Sequence, residues 1–426
     1  MQIVTAETLS LSRNCVYRTE AFGGVLFDLE TKQYVPVNRM GYEIVDFLAT
    51  QPSPVEALVD DVATRVSSML GQPVQPAQVC EPVEQFLAEL TRNGFVAGYT
   101  PARTDIPTPA LAVPQEKVQL KAPLVVSLAT NFNCNLYCAD CYVGSTNDIP
   151  PDSATVTEIL QTLEMLGELE VFDVVITGGE TLLFPDIFTV LERAKQVIPY
   201  VCLNSNGTGI VPWIAKRLAA IGLDVVKISI DSPHPEVHDR FRGQPGAFKR
   251  SVQGIKRLVA EGVRVDTHTV ISRESVNSIE DIDALLSLAQ SLGVTKVHFG
   301  RLFATGRGAN EQKLDFEHLT SINDYLDSLK ESNPLIGRTP SKTRPYIPQM
   351  PWYDGCGGCG RGIYAYIAYN GKIFPCTNLY KPERPEVCMG DLREQSFATI
   401  WQHSPNYQRL QALLSTAVAG SEGIHE

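Results

Sequence analysis

The chain reads as an α/β protein: a partial (β/α)6 barrel of the TIM type, with a winged-helix-like domain before it and a small cysteine-bearing extension after it. Three observations predict this. From Leu124 onward, short β-rich apolar runs alternate with amphipathic helical stretches six times, the pattern of a parallel sheet wound with helices. Residues 1–100 hold alternating hairpin-like runs followed by three helical patterns. Two proline-rich stretches, 101–122 and 331–355, set these regions apart. The expected domains are 1–100, a linker 101–122, the barrel 123–330 and an extension 345–426.

The bulk numbers limit function before any motif is read. With 426 residues and 44% hydrophobic content the chain is long enough for two or three domains. Its formal net charge is −12, and an acidic chain with no basic run argues against nucleic acid or an anionic membrane surface as the main partner. No apolar stretch is long enough to span a bilayer, and no signal peptide opens the chain, so a cytoplasmic protein is expected. Of ten cysteines, seven fall in two tight groups, which in a reducing compartment points to metal ligation. Cys15, Cys80 and Cys202 stand apart and read as buried small hydrophobes.

In residues 1–100, Val16-Tyr17-Arg18, Gly24 to Asp28 and Gln33 to Val37 alternate like strands, with Glu30-Thr31-Lys32 as a turn. Helical patterns follow at Gly41–Thr50, Pro54–Met69 and Cys80–Asn93, the last stopped by Gly94. Six Lys/Arg against twelve Asp/Glu in this segment make DNA binding a poor use of a winged-helix order. Gly23 to Asp28, the Val37-Asn38-Arg39-Met40-Gly41 turn and Phe86 to Phe95 resemble the small peptide-recognition domain of maturases of ribosomally synthesised peptides, relatives of the pyrroloquinoline quinone peptide chaperone. That resemblance implies a leader peptide adding a strand to the hairpin edge, so that main-chain hydrogen bonds give affinity and side-chain pockets give register. A packing or dimerisation module is the alternative. The linker, with Pro101, Pro107, Pro109 and Pro114, suits delivery of a tethered substrate.

In the barrel, strands are expected near Leu124–Ala129, Val171–Thr177, Val201–Asn204, Val225–Ile230, Val263–Val270 and Lys296–Gly300. Helical stretches include Ala154–Glu168, Pro212–Ile221, Ala247–Glu261 and Ile279–Leu292. Chemistry sits at the carboxyl ends of such strands. After the first come Cys134, Cys138 and Cys141, three thiols that one loop can aim at a single metal. Three is one short of four, and an open position separates a catalytic metal from a structural one. A zinc knuckle or redox thiol cluster is the alternative.

The CxxxCxxC spacing, with Gly178-Gly179-Glu180 after the second strand, resembles the radical S-adenosylmethionine (SAM) superfamily over roughly residues 120–310. The resemblance implies a [4Fe–4S] cluster on Cys134, Cys138 and Cys141 whose open iron chelates SAM. It implies Gly178, Gly179 and Glu180 at the SAM ammonium, and Asn204, Ser205 and Asn206 at the ribose and carboxylate. Ser229 and Asp231 are implied at the same ligand, and Arg242 on the methionyl carboxylate. A cap or turn role for Ser229 and Asp231, and a surface position for Arg242, are the alternatives. Two departures stand out: Asp140 replaces the usual aromatic residue before the third cysteine, and Thr181 the usual proline after the glutamate.

The tail carries Cys356, Cys359, Cys376 and Cys388 around a hairpin centred on Asn370-Gly371. With Met389-Gly390-Asp391-Leu392 and Trp401 it resembles the SPASM or twitch auxiliary-cluster extension of peptide-modifying radical SAM enzymes, in the shortened form with one auxiliary iron–sulfur cluster, expected as [4Fe–4S]. Structural zinc is the alternative for these four thiols. The three resemblances together imply a precursor peptide with a leader as substrate, a flavodoxin or ferredoxin as electron donor, and most naturally a thioether or carbon–carbon cross-link. Epimerisation, backbone excision, a tetrapyrrole-type small-molecule substrate and a non-catalytic metal-bound scaffold are the competing readings.

Overall fold

The computed structural model describes residues 8–100, 119–303, 305–310, 314–339 and 362–421. It divides into two compact units, Met1–Lys121 and Ala122–Glu426. The expected linker prolines, together with Cys356 and Cys359, lie outside the described residues.

The first unit is a three-stranded antiparallel meander followed by three helices. Strands β1 (Ser10–Leu11), β2 (Cys15–Glu20), β3 (Gly23–Asp28) and β4 (Tyr34–Asn38) lead into α1 (Arg39–Thr50), α2 (Val55–Leu70) and α3 (Pro76–Arg92), and β5 (Val96–Ala97) returns to pair with β1. The turn after β3 forms because the Asp28 carboxylate accepts from Glu30 N, Thr31 N and the Thr31 hydroxyl at 3.0, 2.6 and 2.9 Å. Asn38 then caps α1 by accepting from Gly41 N at 2.9 Å. Leu26, Val37, Ile44, Leu48, Leu58, Phe86, Leu90 and Phe95 close one core under these elements. Cys15 and Cys80 only edge this core and stay half-buried, whereas Cys202 in the second unit is buried, so the expectation of burial holds for one of the three.

The second unit is built on one nine-stranded sheet, ordered β11-β10-β9-β8-β7-β6-β12-β13-β14. Its parallel part comprises β6 (Val125–Ala129), β7 (Asp173–Thr177), β8 (Tyr200–Ser205), β9 (Val225–Ser229), β10 (Val265–Ile271) and β11 (Lys296–Arg301). Between them run α4 (Val156–Glu168), α5 (Ile187–Val197), α6 (Pro212–Ile221), α7 (Pro235–Phe241), α8 (Ala247–Ala260) and α9 (Ile279–Leu292), followed by α10 (Phe316–Leu329). Because the strands neighbour one another in chain order, the crossovers put their helices on one face, which carries the large apolar core of Val126, Leu128, Val174, Ile176, Leu203, Ile228, Leu258 and Phe299.

The extension is part of this sheet. Strand β12 (Tyr364–Ile367) pairs parallel with β6, Val125 opposite Tyr364 and Leu128 opposite Ile367; β13 (Lys372–Phe374) and β14 (Gly390–Asp391) continue it antiparallel. Helices α11 (Phe397–His403) and α12 (Pro405–Ser421) end the chain. Residues 335–338 run along the far edge at β11, where Val297 N donates to Leu335 O and Phe299 N to Arg338 O, each at 2.7 Å. Among the described residues no helix is long and apolar enough to cross a membrane.

Candidate metal and cofactor site

The loop after β6 is shaped by backbone hydrogen bonds to the ends of β7 and α7 and to the turn after β11. Thr130 N donates to Thr177 O at 2.9 Å, carrying β6 and β7 past their ends in register. Beyond it, Gly179 N donates to Asn131 O and Glu180 N to Asn133 O, both at 2.9 Å. Only glycine fits this approach: a Cβ on Gly179 would lie 2.2 Å from Asn133 O, and one on Gly178, at φ +146°, 2.5 Å from Asn131 O. Asn131, buried and not singled out by its sequence context, donates its amide to Asn133 O, Asn133 Oδ1 and Glu180 O at 3.0, 3.0 and 2.9 Å.

Cys134, Cys138 and Cys141 meet around one small apolar cluster with Leu136 and Ala247. Cys138 is buried, while Cys134 and Cys141 are half-exposed. Burial pushes the thiols up, Cys134 to about 11 and Cys138 to about 12. A bound cation reverses that preference by deprotonating its ligands. Among the described residues no group of three or more His, Cys, Asp or Glu side chains is spaced to hold a metal ion as they stand. What the loop supplies is a set of three soft donors, two of them partly exposed, beside a close-packed glycine turn, and donors of this type and number fit a three-thiolate iron–sulfur centre with one open position.

Two clasps hold the loop. On one side Tyr137 N and Ala139 N donate to Arg242 O and Phe241 O at 3.2 and 2.9 Å. Arg242 is buried, which rules out the surface alternative; its Nη2 pairs with Asp231 and its Nη1 lies 3.5 Å from Cys138 Sγ. Burial opposes the guanidinium charge, but Asp231 and Cys138 outweigh it and keep Arg242 protonated. The Asp231 carboxylate also accepts from Val270 N at 3.1 Å; burial raises its pKa and Arg242 opposes the rise. Behind the pair, His238 Nδ1 accepts from Asp231 N at 3.2 Å and Nε2 has no partner. Burial, then Arg242, lowers His238 to about 3, so the ring is neutral.

On the other side, Arg307 donates from Nε to Cys138 O at 2.7 Å and from Nη1 to Ser145 O at 2.6 Å, and its guanidinium stacks 3.9 Å above the Tyr137 ring. The preceding glycine is obligatory: a Cβ on Gly306, at φ +55°, would lie 2.2 Å from Cys141 O. Sequence reasoning passed over Arg307, although its signal is the small-residue run Thr305-Gly306-Arg307-Gly308 just beyond the sixth barrel strand.

Glu180 is buried, with Oε1 accepting from Ser205 Oγ at 2.7 Å and Leu182 N at 3.1 Å, and Oε2 from Asn206 N at 2.7 Å. Burial raises its pKa against these donors. Three of roughly four lone-pair sites are used, and one remains. Thr181 donates its hydroxyl to Asn204 O at 2.7 Å, fixing a single 3-10 turn over Thr181–Leu183 where proline is usual. Asn206 reaches the cysteine loop through Asn135 Oδ1 at 2.8 Å, and its carbonyl accepts from Ser251 Oγ at 2.7 Å. Asn204, Ser205, Asn206 and Glu180 are thus one hydrogen-bonded group. Ser229 ends β9, half-buried, in register with His268 on β10.

Further down the same strands, His298 Nε2 lies 2.9 Å from Asp266 Oδ2, and Arg338 N donates to His298 Nδ1 at 3.0 Å, leaving Nε2 to carry the ring proton toward the carboxylate. His268 is held at about 3 by burial and by His298. Their signal is visible in hindsight: Asp266 and His268 alternate with apolar and hydroxyl residues within one strand, and so share a face.

Cys376 and Cys388 sit on the extension. Cys376 caps a short 3-10 turn after β13, and Cys388 Sγ lies 3.5 Å from Gly390 O, with Asn406 Nδ2 donating to Cys388 O at 2.8 Å. Tyr142, Tyr366, Phe374 and Tyr380 join their surroundings to the first cysteine loop, with ring centroids 6.1 Å apart for Tyr142–Tyr366 and 5.2 Å for Tyr366–Tyr380. A cavity of about 360 Å³ between α4 and this hairpin is lined by Ala154, Ile159, Ile367 and Phe397 and by none of the thiols.

Three family descriptions match the chain in order: Coenzyme PQQ synthesis protein D over residues 23–96, Radical SAM superfamily over 129–286, and Iron-sulfur cluster-binding domain over 356–421. The pre-heme d1 synthase of Dinoroseobacter shibae is 33% identical over 304 residues, 66% of this chain and 73% of that protein. The AdoMet-dependent heme synthase of Methanosarcina barkeri is 29% identical over 314 residues, 68% and 85% of the two chains. The mycofactocin maturase MftC of Mycobacterium tuberculosis is 27% identical over 325 residues, 75% and 80%. Streptococcus suis SuiB bound to its precursor peptide SuiA shares the fold, with a TM-score of 0.66 at 14% identity over 95% of this chain and 90% of that one.

Proposed function

Because the chain belongs to the radical SAM superfamily, as an enzyme with a [4Fe–4S] cluster, SAM and an auxiliary iron–sulfur site, we propose that it is a cytoplasmic peptide maturase that cross-links a ribosomally made precursor through sulfur or carbon. The observation that carries this reading is the first unit: a Coenzyme PQQ synthesis protein D match on a three-stranded sheet with helices behind it. An open strand edge recognises peptide backbone, and a small-molecule enzyme has no need of it. The leader of the precursor is the partner that this unit takes.

When bound, the cluster and SAM supply a carbon radical able to take a hydrogen atom from an unactivated carbon. The chain's residues supply position. Cys134, Cys138 and Cys141 hold the centre. The remaining acceptor capacity of Glu180 would take the ammonium of SAM, Gly178 and Gly179 would admit the ligand close to the backbone, and Asn204, Ser205, Asn206 and Ser229 would offer it short polar groups. Arg242 has a different assignment from the one implied by resemblance: Asp231 and Cys138 occupy its two terminal nitrogens, so it positions Cys138 and the loop. Cys356, Cys359, Cys376 and Cys388 would hold the auxiliary cluster, which would supply an acceptor for the second electron that cross-linking releases.

A second reading is favoured by two of the relatives above, which are tetrapyrrole synthases: the chain acts on a tetrapyrrole-type small molecule. The discriminating experiment gives anaerobically reconstituted protein a candidate precursor with and without its leader. Saturable binding that needs the leader, with a product lighter by two hydrogens, supports the maturase; turnover of a tetrapyrrole without peptide binding discards it.

A further inference from the structure

The net charge of −12 conceals a strip of the opposite sign. Between Arg240 and Ala260 there are six Lys or Arg and no Asp or Glu. Arg242 is buried beside Cys138, but Arg240, Lys249, Arg250 and Lys256 are exposed along α7 and α8. The strip starts at the cysteine loop. The carbonyls of Phe241 and Arg242 hold that loop, and Ala247, the first residue of α8, is buried against Leu136 and the three cysteines. At its edge Tyr137, between two of the cysteines in the chain, is 61% exposed with Arg307 stacked on it.

At the end of the strip nearest the cysteine loop, the acids of α7 do not cancel it; exposed Glu261 stands at its far end, and α9 carries exposed Glu280 and Asp283. Asp239 spends its carboxylate on Gly246 N and Phe248 N, leaving Glu236 as the exposed acid of α7. Neighbouring α6 adds exposed Lys216, while its Arg217 is paired with Glu192. A cationic rim around an exposed aromatic ring on an acidic protein is the composition of a docking surface for an acidic partner.

We propose that this strip docks a small acidic one-electron carrier protein that reduces the centre at Cys134, Cys138 and Cys141. The inference rests on the radical SAM reading above and adds where the electron enters. One electron leaves the carrier, which is oxidised by one, and the centre at the three thiols is reduced by one; no proton or group is transferred. Direct contact of the strip's first residues with the cysteine loop favours an electron carrier over an acidic peptide, because electron transfer needs a short path to the thiols and peptide binding does not.

The test uses purified oxidised flavodoxin as probe and the reconstituted full chain, with binding measured by biolayer interferometry at about 50 and about 300 mM salt. The charge reversal R240E/K249E/R250E is expected to weaken binding at least about tenfold at low salt and to flatten its salt dependence. Flavodoxin-driven SAM cleavage falls in parallel, while dithionite-driven cleavage, which needs no docking, stays at the wild-type rate. If the triple variant does not fold, K249Q/R250Q gives the same pattern at smaller size. Wild-type flavodoxin affinity in a folded variant overturns the proposal, as does retained flavodoxin binding with lost precursor-peptide binding. Absence of dithionite-driven SAM cleavage in the wild type overturns instead the radical SAM reading beneath it.

Discussion

The two cysteine regions are held in opposite ways. The loop with Cys134, Cys138 and Cys141 has little regular structure of its own and takes its shape from distant elements: Gly179 and Glu180 after β7, Asn206 after β8, Arg242 after α7 and Arg307 after β11. Cys376 and Cys388 are held locally, by turns around a hairpin at the sheet edge and by packed tyrosines. A centre that must leave one position open cannot let its ligands close over the metal, so the whole barrel fixes the loop from outside. For Cys376 and Cys388, local turns suffice to place both thiols.

The contrast is broken or sharpened by five measurements, the largest effect first. The triple substitution Cys134→Ala/Cys138→Ala/Cys141→Ala is expected to abolish SAM cleavage and lower iron from about eight to about four atoms per chain. About four in the wild type and none in the variant, with zinc present, would make the C-terminal thiols structural. Asp231→Asn keeps an acceptor for Val270 N but leaves the buried Arg242 charge unpaired, which costs about 3–5 kcal/mol in denaturant unfolding. A loss under about 1 kcal/mol would show that this clasp is not electrostatic.

Arg307→Met removes two charge-assisted bonds to carbonyls of the loop and is expected to cost about 2–3 kcal/mol and to speed iron loss on gel filtration. Unchanged iron retention would place the clasp elsewhere. Acid acts next: His238, held at about 3, is neutral when folded and titrates near 6.5 when unfolded. Below that value the unfolded chain takes up a proton that the folded chain refuses, so stability falls as pH drops from about 6.5 toward 3, by up to about 1.4 kcal/mol per unit. His238→Gln should flatten the slope of melting temperature between about pH 7 and about pH 5, and an unaltered slope would remove His238 from the account. Last, Cys376→Ala/Cys388→Ala should change SAM cleavage by less than about threefold while stopping the peptide product, because the extension meets the first loop through its tyrosines, such as Tyr366 against Tyr142, which this double substitution leaves in place.

Much of this architecture was legible in advance. The six strand–helix repeats and the hairpin with three helices follow from hydrophobic period and turn chemistry, both local properties. The extension was legible as a hairpin through Asn370-Gly371 but not as an added edge of the barrel sheet, because parallel pairing of β12 with β6 joins residues more than 230 positions apart and leaves no periodic mark. The bridging roles of Asn131 and Asn135 were illegible for a similar reason, and the glycines around Arg307 mark a close approach without naming its partner. Single polar residues in loops are abundant, and which of them bridges is decided by where the loops meet.

The sequence by itself determined which groups can do chemistry here: three soft thiols in one loop, a Gly-Gly-Glu turn and a second set of thiols, since donor type and spacing are written residue by residue. The tertiary structure decided what each of them faces. It turned Arg242 onto Asp231 and Cys138, satisfied three of the acceptor sites of Glu180, and set the end of α7 and the start of α8, with their cations, against the cysteine loop. Charge and hydrogen bonding act through space at a few ångströms, and only the folded chain sets those distances.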